Sequence, residues 1–178
     1  MSHFIQLHLL TSYPPANLNR DDLGRPKTAL MGGAKRLRVS SQSLKRTWRT
    51  SALFEEALAG HVGTRTKRLG SEAYKELKEK GLDEKIAAAS AEKIAGVFGK
   101  LRKVEKGEAK EFEIEQLVHV GLEERQAISE LVATLAEEKR EPNDDELKLL
   151  RHKPAAADVA LFGRMLAAVP EYNVDAAC

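Results

Sequence analysis

The stretch that decides the fold is Lys35–Arg46, which has the sequence KRLRVSSQSLKR. In its first five residues, Leu37 and Val39 alternate with arginines, which predicts a β-strand with one apolar and one basic face. Ser40-Ser41 follows at once, and either serine can cap a helix because its hydroxyl accepts a hydrogen bond from a first-turn amide. The sequence therefore predicts a basic strand that leads directly into a serine-capped helix.

The predicted helix has an apolar side and a cationic side. Leu44, Trp48 and Ser51 share one side, and we expect Trp48, the one tryptophan of the chain, to anchor the helix to a sheet. The opposite side carries Gln42, Lys45, Arg46 and Arg49.

The amino end of this helix has the chemistry of a phosphate site. Free amides and the helix dipole favour an anion there, and Lys45 and Arg49, four residues apart, could contact adjacent phosphates. Ser40 and Gln42 add hydrogen-bond donors. Because none of these groups needs to reach a base, the pattern predicts binding to a nucleic-acid backbone without sequence preference. A capped surface helix with solvated cations is the alternative that the residues leave open.

The charge distribution also favours a polyanion site near the start of the chain. Residues 1–50 contain nine basic and two acidic residues, a net charge of +7, whereas the remainder contains 20 basic and 25 acidic residues, a net charge of −5. Between Arg25 and Arg49 there are eight basic residues and no acid. Such a block predicts a polyanion site on one face, or else a solvated basic loop.

Composition restricts the class of protein. The chain has 178 residues, of which 42% are hydrophobic and 31% charged, as in one soluble globular domain with or without an insertion. The single cysteine, Cys178, excludes an intrachain disulfide framework and a cysteine zinc cluster, and it fits a reducing compartment. No apolar run approaches the ~20 residues of a membrane span, and the N-terminus lacks the features of a signal peptide. We therefore expect a cytoplasmic protein with no membrane partner.

Outward from the central stretch, the chain divides into a sheet-forming and a helical part. His3–Leu10 alternates with Ile5, Leu7 and Leu9 on one face, which predicts a strand, and Asn17–Gly33 is typical of a loop or irregular hairpin. The later segments predict mainly helices: Glu72–Lys80, Asp83–Phe98, Glu123–Lys139 and a short helix from Asp144 to His152, with a basic linker over 99–109, a possible short strand near Phe112–Val118 and an extended segment from Pro154 to Phe162.

Four blocks of this sequence resemble one known family. Asn19–Asp22, Gly32-Gly33, Val39–Arg46 and Asp158–Met165 occur in the order and at the spacing of the repeated backbone subunit, CasC, of the type I-E CRISPR Cascade complex. The resemblance extends from Met1 to about Val169.

The resemblance implies an α+β fold: an RRM-like (ferredoxin-like) palm, incomplete in this chain, with an inserted helical finger subdomain. Residues 1–55 would form the first part of the palm and 56–153 the finger insertion, and 154–178 would return to the palm. Because members of the family have about twice this length, we expect an N-terminal half that stops before the thumb and the remaining palm strands.

The resemblance also implies a function. Several copies of such a subunit, together with other Cascade subunits, hold one CRISPR RNA, whose spacer pairs with target DNA, and a separate nuclease cuts the DNA. The division of labour is that protein holds the backbone while base pairing reads the sequence. The subunit is expected to be no enzyme and to use no metal or cofactor.

Site residues follow from the matching positions. At the guide RNA the resemblance places Arg20, Lys27, Ser40, Gln42, Lys45, Arg46 and Arg49, with Met165 near a kink of the guide and Arg164 beside it. At target DNA it places Lys148, Arg151 and Lys153.

Two other functions are weighed against this one. Asp21 and Asp22 could act as metal ligands or as a general base for RNA cleavage, as a loop aspartate does in related type III subunits, but adjacent carboxylates in a turn more often shape the turn. The chain could instead be a non-catalytic protein–protein assembly module whose basic strand pairs with an acidic partner.

Overall fold

A computed structural model describes residues 5–9, 11–103 and 111–177. The chain divides into two compact units, Met1–Ser51 and Ala52–Cys178. The first contains β1 (Thr28–Met31), β2 (Ala34–Leu37) and α1 (Ser41–Arg49). The second contains α2 (Ala52–Ala57), β3 (Thr64–Thr66), α3 (Leu69–Glu79), α4 (Glu84–Phe98), β4 (Val118–Val120), α5 (Leu122–Glu138), α6 (Ala157–Phe162) and a 3-10 turn over Pro170–Tyr172.

The first unit is built around a tight hairpin. Strands β1 and β2 pair antiparallel, with Thr28 opposite Leu37 and Met31 opposite Ala34. The connecting residues, Gly32 and Gly33, have φ of 62° and 72°, as the preferred two-residue hairpin turn requires at both of its central positions. The predicted irregular hairpin and basic strand are thus confirmed, although β2 ends at Leu37 and not at Val39.

The predicted helix after Ser40 is also confirmed. Ser40 is the N-cap of α1, and its Oγ accepts a hydrogen bond from the Ser43 amide at 3.3 Å. Trp48 is 49% exposed and α1 buries none of its residues, so the expected anchoring of this helix to a sheet stays a prediction.

The strand predicted over His3–Leu10 does not form in the part of it that the structure describes. Residues 5–9 belong to no strand, and Ile5, Leu7 and Leu9 are 86%, 77% and 85% exposed. The physical reason is that an alternating pattern of apolar residues is not sufficient to form a strand. A neighbouring strand must also satisfy the backbone hydrogen-bonding groups and cover the apolar face, and none of the described strands does so. His3 and Leu10 lie outside the described residues.

The second unit has the main hydrophobic core. Helix α3 packs against α4 and α5, and small side chains in α4 (Ala87, Ala91 and Ala95, all 0% exposed) let the helices approach closely. Asp83 caps α4, as predicted, by accepting from the amides of Lys85 and Ile86. The fully buried strand β4 pairs antiparallel with β3, which has Thr64 opposite Val120.

Two local predictions in the second unit are corrected. Residues 144–147 form a turn where a helix from Asp144 was expected. Asn143 and Glu146 bond each other as at the start of a helix, since Asn143 N donates to Glu146 Oε2 at 2.9 Å and Glu146 N to Asn143 Oδ1 at 3.0 Å, but the chain leaves the helical path after Leu147. Residues 157–162, predicted as extended, form α6.

The two compact units have boundaries that can be set beside the predicted domains, whose division into palm and finger stays a prediction. The first boundary falls after Ser51, close to the expected residue 55. Residues 154–178, expected to return to the palm, belong to the same compact unit as 52–153. The described sheets are two separate two-stranded pairs, so the fold is mixed α and β with small antiparallel sheets.

Candidate nucleic-acid interface

Asn19 brings together three residues that the sequence could only place far apart. Its carbonyl oxygen accepts from the Lys27 amide at 2.7 Å, and its side-chain Oδ1 accepts from the Ser40 amide at 2.9 Å. The carbonyl of Lys27 in turn accepts from the amide of Arg38 at 2.9 Å. Arg20, next to Asn19, therefore lies in one hydrogen-bonded framework with Lys27 and the start of α1. Asn19 belongs to the first family-like block, but nothing in the sequence around it indicates this role.

The loop after Arg20 is shaped by Asp21. Its Oδ1 accepts from the amides of Leu23 and Arg25, both at 2.9 Å, and its Oδ2 accepts from Arg25 Nε at 3.1 Å. The hydrogen bond from the Arg25 amide is the main reason that the pKa of this carboxyl lies below its usual value. The carboxylate therefore holds the turn that carries Arg20 towards Lys27.

Helix α1 presents the predicted cations on a short, capped scaffold. Gln42 and Arg46 are exposed, and Lys45 and Arg49 are half-buried. The first turn of α1 has no acidic residue, so nothing within that turn opposes an anion at the amino end. The Ser40 hydroxyl accepts from the Ser43 amide, and a hydroxyl can also donate one hydrogen bond.

Arg164 occupies a different place from the one expected. Gly163 ends α6 with φ of +77°, and the backbone of Arg164 then pairs with Val174 in both directions at 2.9 Å. The Arg164 side chain is 1% exposed, and its Nη1 donates to both Glu124 carboxylate oxygens at 2.9 and 2.8 Å. Buried in this way, the guanidinium offers no surface for RNA, which corrects the placement of Arg164 at the guide. Met165, the next residue, is 77% exposed.

A second buried polar pair lies in the same unit and was missed from sequence. His119 Nε2 is 2.9 Å from Asp158 Oδ2, and Asp158 Oδ1 accepts from the Gly63 amide at 2.8 Å. Asp158 and Arg164 both belong to the fourth family-like block, so the block could have indicated them as important. Their partners, however, are 39 and 40 positions away and carry no local signal.

The three residues expected at DNA are all exposed, on the segment before α6. Lys148 Nζ lies 2.6 Å from Asp145 Oδ1, and the Arg151 guanidinium donates to the Lys148 carbonyl at 3.0 Å. The backbone of Arg151 is fixed from both sides: its amide donates to Glu124 Oε1 at 2.8 Å, and its carbonyl accepts from Arg164 Nη2 at 2.7 Å. Together with Lys153, they form a cationic surface segment on a rigid base.

Neither a metal cluster nor a membrane span is found in the part of the chain that the structure describes. Over 5–9, 11–103 and 111–177, no three histidine, cysteine, aspartate or glutamate side chains are grouped so that they could hold a metal ion. No helix within those ranges has the length and apolar character needed to cross a membrane.

Comparisons with solved structures show which class of protein this chain is similar to. A chain described as "CRISPR RNA-guided surveillance complex" has a TM-score of 0.67 and 33% identity, over 93% of this chain and 53% of that one. Another, described as "CRISPR RNA-guided surveillance complex, pre-nicking", has a TM-score of 0.60 and 36% identity, over 90% of this chain and 46% of that one. This chain thus spans about half the length of the solved chains that it matches. No curated protein matches it.

The family itself is shown by a match over nearly the whole chain. The model of the CT1975-like proteins matches residues 5–178, and the chain belongs to this family. The resemblance noted from the sequence is therefore confirmed at the level of CRISPR surveillance complexes, and its assignment to type I-E stays a prediction.

Proposed function

We propose that this chain is a guide-RNA-binding backbone subunit of a type I-E Cascade complex. Homology to chains of RNA-guided surveillance complexes supports a Cascade-type role associated with CRISPR RNA. The observation that carries the RNA-binding part is the framework around Asn19, which joins Arg20, Lys27 and the amino end of α1 in one compact unit.

The chemistry of this framework suits a sugar–phosphate chain. Cations and hydrogen-bond donors can contact phosphate oxygens without reaching the bases. A guide held by its backbone keeps its base edges available for pairing with target DNA, which is how RNA-guided complexes read sequence. The site residues of the proposal are Arg20, Lys27, Ser40, Gln42, Lys45, Arg46 and Arg49.

The remaining parts of the proposal concern partners and chemistry. Lys148, Arg151 and Lys153 would contact target DNA, and other copies of the subunit and further Cascade subunits would be its protein partners. Met165, exposed beside a buried anchor, would contact the guide near a kink. The subunit would not be an enzyme and would act in the cytoplasm.

The test is direct binding of a labelled single-stranded RNA to the full chain across a series of salt concentrations. The double variant Lys45→Glu with Arg49→Glu should weaken binding strongly, whereas Lys78→Glu with Lys80→Glu, an equal change in charge at the end of α3, should leave it unchanged. For the unchanged chain, the logarithm of the affinity should fall with the logarithm of salt by roughly 0.7 for each phosphate contact. An unchanged affinity for the α1 variant would remove the proposed role of this helix.

The same experiment separates the proposal from a protein assembly module. Binding of an acidic protein through the basic strand should depend less steeply on salt than binding through several phosphates. A shallow dependence, or no RNA binding by a folded chain, would favour the assembly module.

A further inference from the structure

A second basic surface lies in the Ala52–Cys178 unit, where three segments run side by side. The segment that continues β3 stays beside the segment that precedes β4, because Ile114 N donates to Lys67 O at 3.1 Å. The segment before β4 also bonds to residues 100–103, since Arg102 N donates to Glu113 O at 2.8 Å. Residues 64–68, 111–117 and 100–103 therefore share one surface.

This surface is positive within a unit that is negative overall. The unit has 20 basic and 25 acidic residues. The three segments nevertheless combine a net charge of +3, with six basic residues (Arg65, Lys67, Arg68, Lys100, Arg102, Lys103) and three acidic ones (Glu111, Glu113, Glu115). The concentration of cations points to an anionic ligand.

Part of the surface is an open cleft of about 340 Å³, lined by Arg65, Thr66, Lys67, Arg68, Glu113 and Leu117. Arg65 is exposed, and the side chain of Arg68 is 74% exposed. Glu113, 18% exposed, lies 3.1 Å from Arg68 and offsets one of the three positive charges. The cleft thus presents two guanidinium groups and one ammonium group with a net charge of +2.

The lining favours phosphate over a protein surface. A guanidinium can donate two parallel hydrogen bonds to one phosphate group, and the cleft brings two of them together with a lysine. A protein interface has an apolar centre, whereas among the described residues that line this cleft Leu117, 47% exposed, is the only apolar one. Leu117 is placed to contact a sugar or base while the cations contact phosphates.

We propose that this cleft, which we call the β3 cleft, binds the phosphate backbone of a single-stranded nucleic acid. The proposal goes beyond the function proposed above, because it adds a site in the other compact unit that none of the family-like blocks contains. It needs no residue of α1 and stands or falls separately from it.

The test measures binding of the full chain to labelled 12-nucleotide single strands, one of RNA and one of DNA, across a salt series. Neutralising the cleft with Arg65→Gln and Lys67→Gln should weaken binding and reduce the magnitude of the salt slope by about 1.4, two contacts at roughly 0.7 each. The matched control is Lys78→Gln with Lys80→Gln, an equal loss of charge at the exposed end of α3, and it should leave the slope unchanged.

A variant that is expected to tighten binding makes the test independent of folding, because a chain that fails to fold would not bind more tightly. Glu113→Gln removes the acid that lines the cleft and should tighten binding and steepen the salt slope. Comparing the RNA and DNA arms shows which strand the cleft prefers, and an effect in either arm supports the proposal.

Three results would overturn it: equal effects of the cleft and control pairs, weaker binding by Glu113→Gln, or displacement of the strand by polyglutamate as effectively as by unlabelled oligonucleotide. If the α1 variant loses binding while the cleft variants behave as the unchanged chain, the β3 cleft proposal fails and the proposed function stands. If instead the cleft variants behave as expected while the α1 variant binds as the unchanged chain does, only the proposed role of α1 is refuted.

Discussion

Asn19 Oδ1 accepts a hydrogen bond from the Ser40 amide at 2.9 Å, across 21 positions of the chain. Through this bond the loop that carries Arg20 is fixed to the residue that caps α1. The Asn19 carbonyl adds Lys27 to the same framework at 2.7 Å. One asparagine thus sets the mutual placement of three proposed RNA contacts.

Replacement of Asn19 by alanine should weaken RNA binding although no cation is lost. The Ser40 amide would lose its acceptor, which we expect to lower the free energy of unfolding by about 1 kcal/mol. Hydrogen exchange of the Ser40 amide and RNA affinity should change together. Asn17→Ala is the matched control, because the Asn17 side chain makes a long, 3.5 Å contact with Gly24 O. Wild-type affinity in Asn19→Ala would contradict the framework.

The double variant Asp21→Asn with Asp22→Asn should leave RNA intact, as the unchanged chain should. Both Asp21 carboxylate oxygens accept hydrogen bonds within the turn, and its pKa lies below the usual value, so this carboxylate is a poor proton acceptor. Labelled RNA incubated with and without Mg²⁺ and resolved on a denaturing gel gives the measurement. Metal-dependent cleavage that disappears in the double variant would refute the proposal that the subunit is not an enzyme.

Replacement of Arg164 by methionine should destabilise the second unit strongly. The Arg164 and Glu124 side chains are 1% and 0% exposed, and removing one member of such a pair leaves an uncompensated buried charge, at a cost of about 3–5 kcal/mol. Urea unfolding measures the loss. Arg125→Met, which breaks the exposed pair with Glu72, should cost less than about 1 kcal/mol.

A double-mutant cycle checks that the cost arises from the pair. Adding Glu124→Gln to Arg164→Met removes the orphaned charge, so the two losses should sum to more than the loss in the double variant. If Arg164→Met is as mild as Arg125→Met, the anchoring role of Arg164 is wrong.

Glu146 should make stability depend on pH in acid. Hydrogen bonds from the Arg140 guanidinium, and then from the Asn143 amide, lower the pKa of Glu146 from 4.5 to about 2. Since the folded pKa is the lower one, this contribution is complete above about pH 4.5 and is lost as the pH falls towards 2.

The measurement is urea unfolding of the wild type and of Glu146→Gln between pH 2 and pH 6. The difference between the two should shrink steadily below about pH 4.5, and Arg140→Gln should remove the same component because it removes the main donor. A difference that is constant across this range would contradict the assignment.

Features with a local cause could be predicted from the sequence. The capping of α1 by Ser40 and of α4 by Asp83 depends on amides within three residues of each cap. The hairpin turn depends on two adjacent glycines. The cationic side of α1 follows from helical spacing alone, so most residues of the proposed guide site could be named from the sequence.

Features with a distant partner could not be predicted. The alternation of Ile5, Leu7 and Leu9 is that of a strand, yet residues 5–9 form none, because pairing depends on a neighbour and not on the pattern itself. Arg164 looked like an RNA contact by its charge and its block, and only the position of Glu124 shows that it is buried.

The sequence alone determined where the basic strand turns into a capped helix, because a helix cap and a two-glycine turn are satisfied by atoms a few residues away. The tertiary structure alone decided that Asn19 joins Lys27 to Ser40, that Arg164 is buried against Glu124, and that Arg65, Lys67 and Arg68 share a cleft with Leu117. These arrangements depend on which distant backbone groups and charges meet when the chain folds, and hydrophobic periodicity carries no information about that pairing.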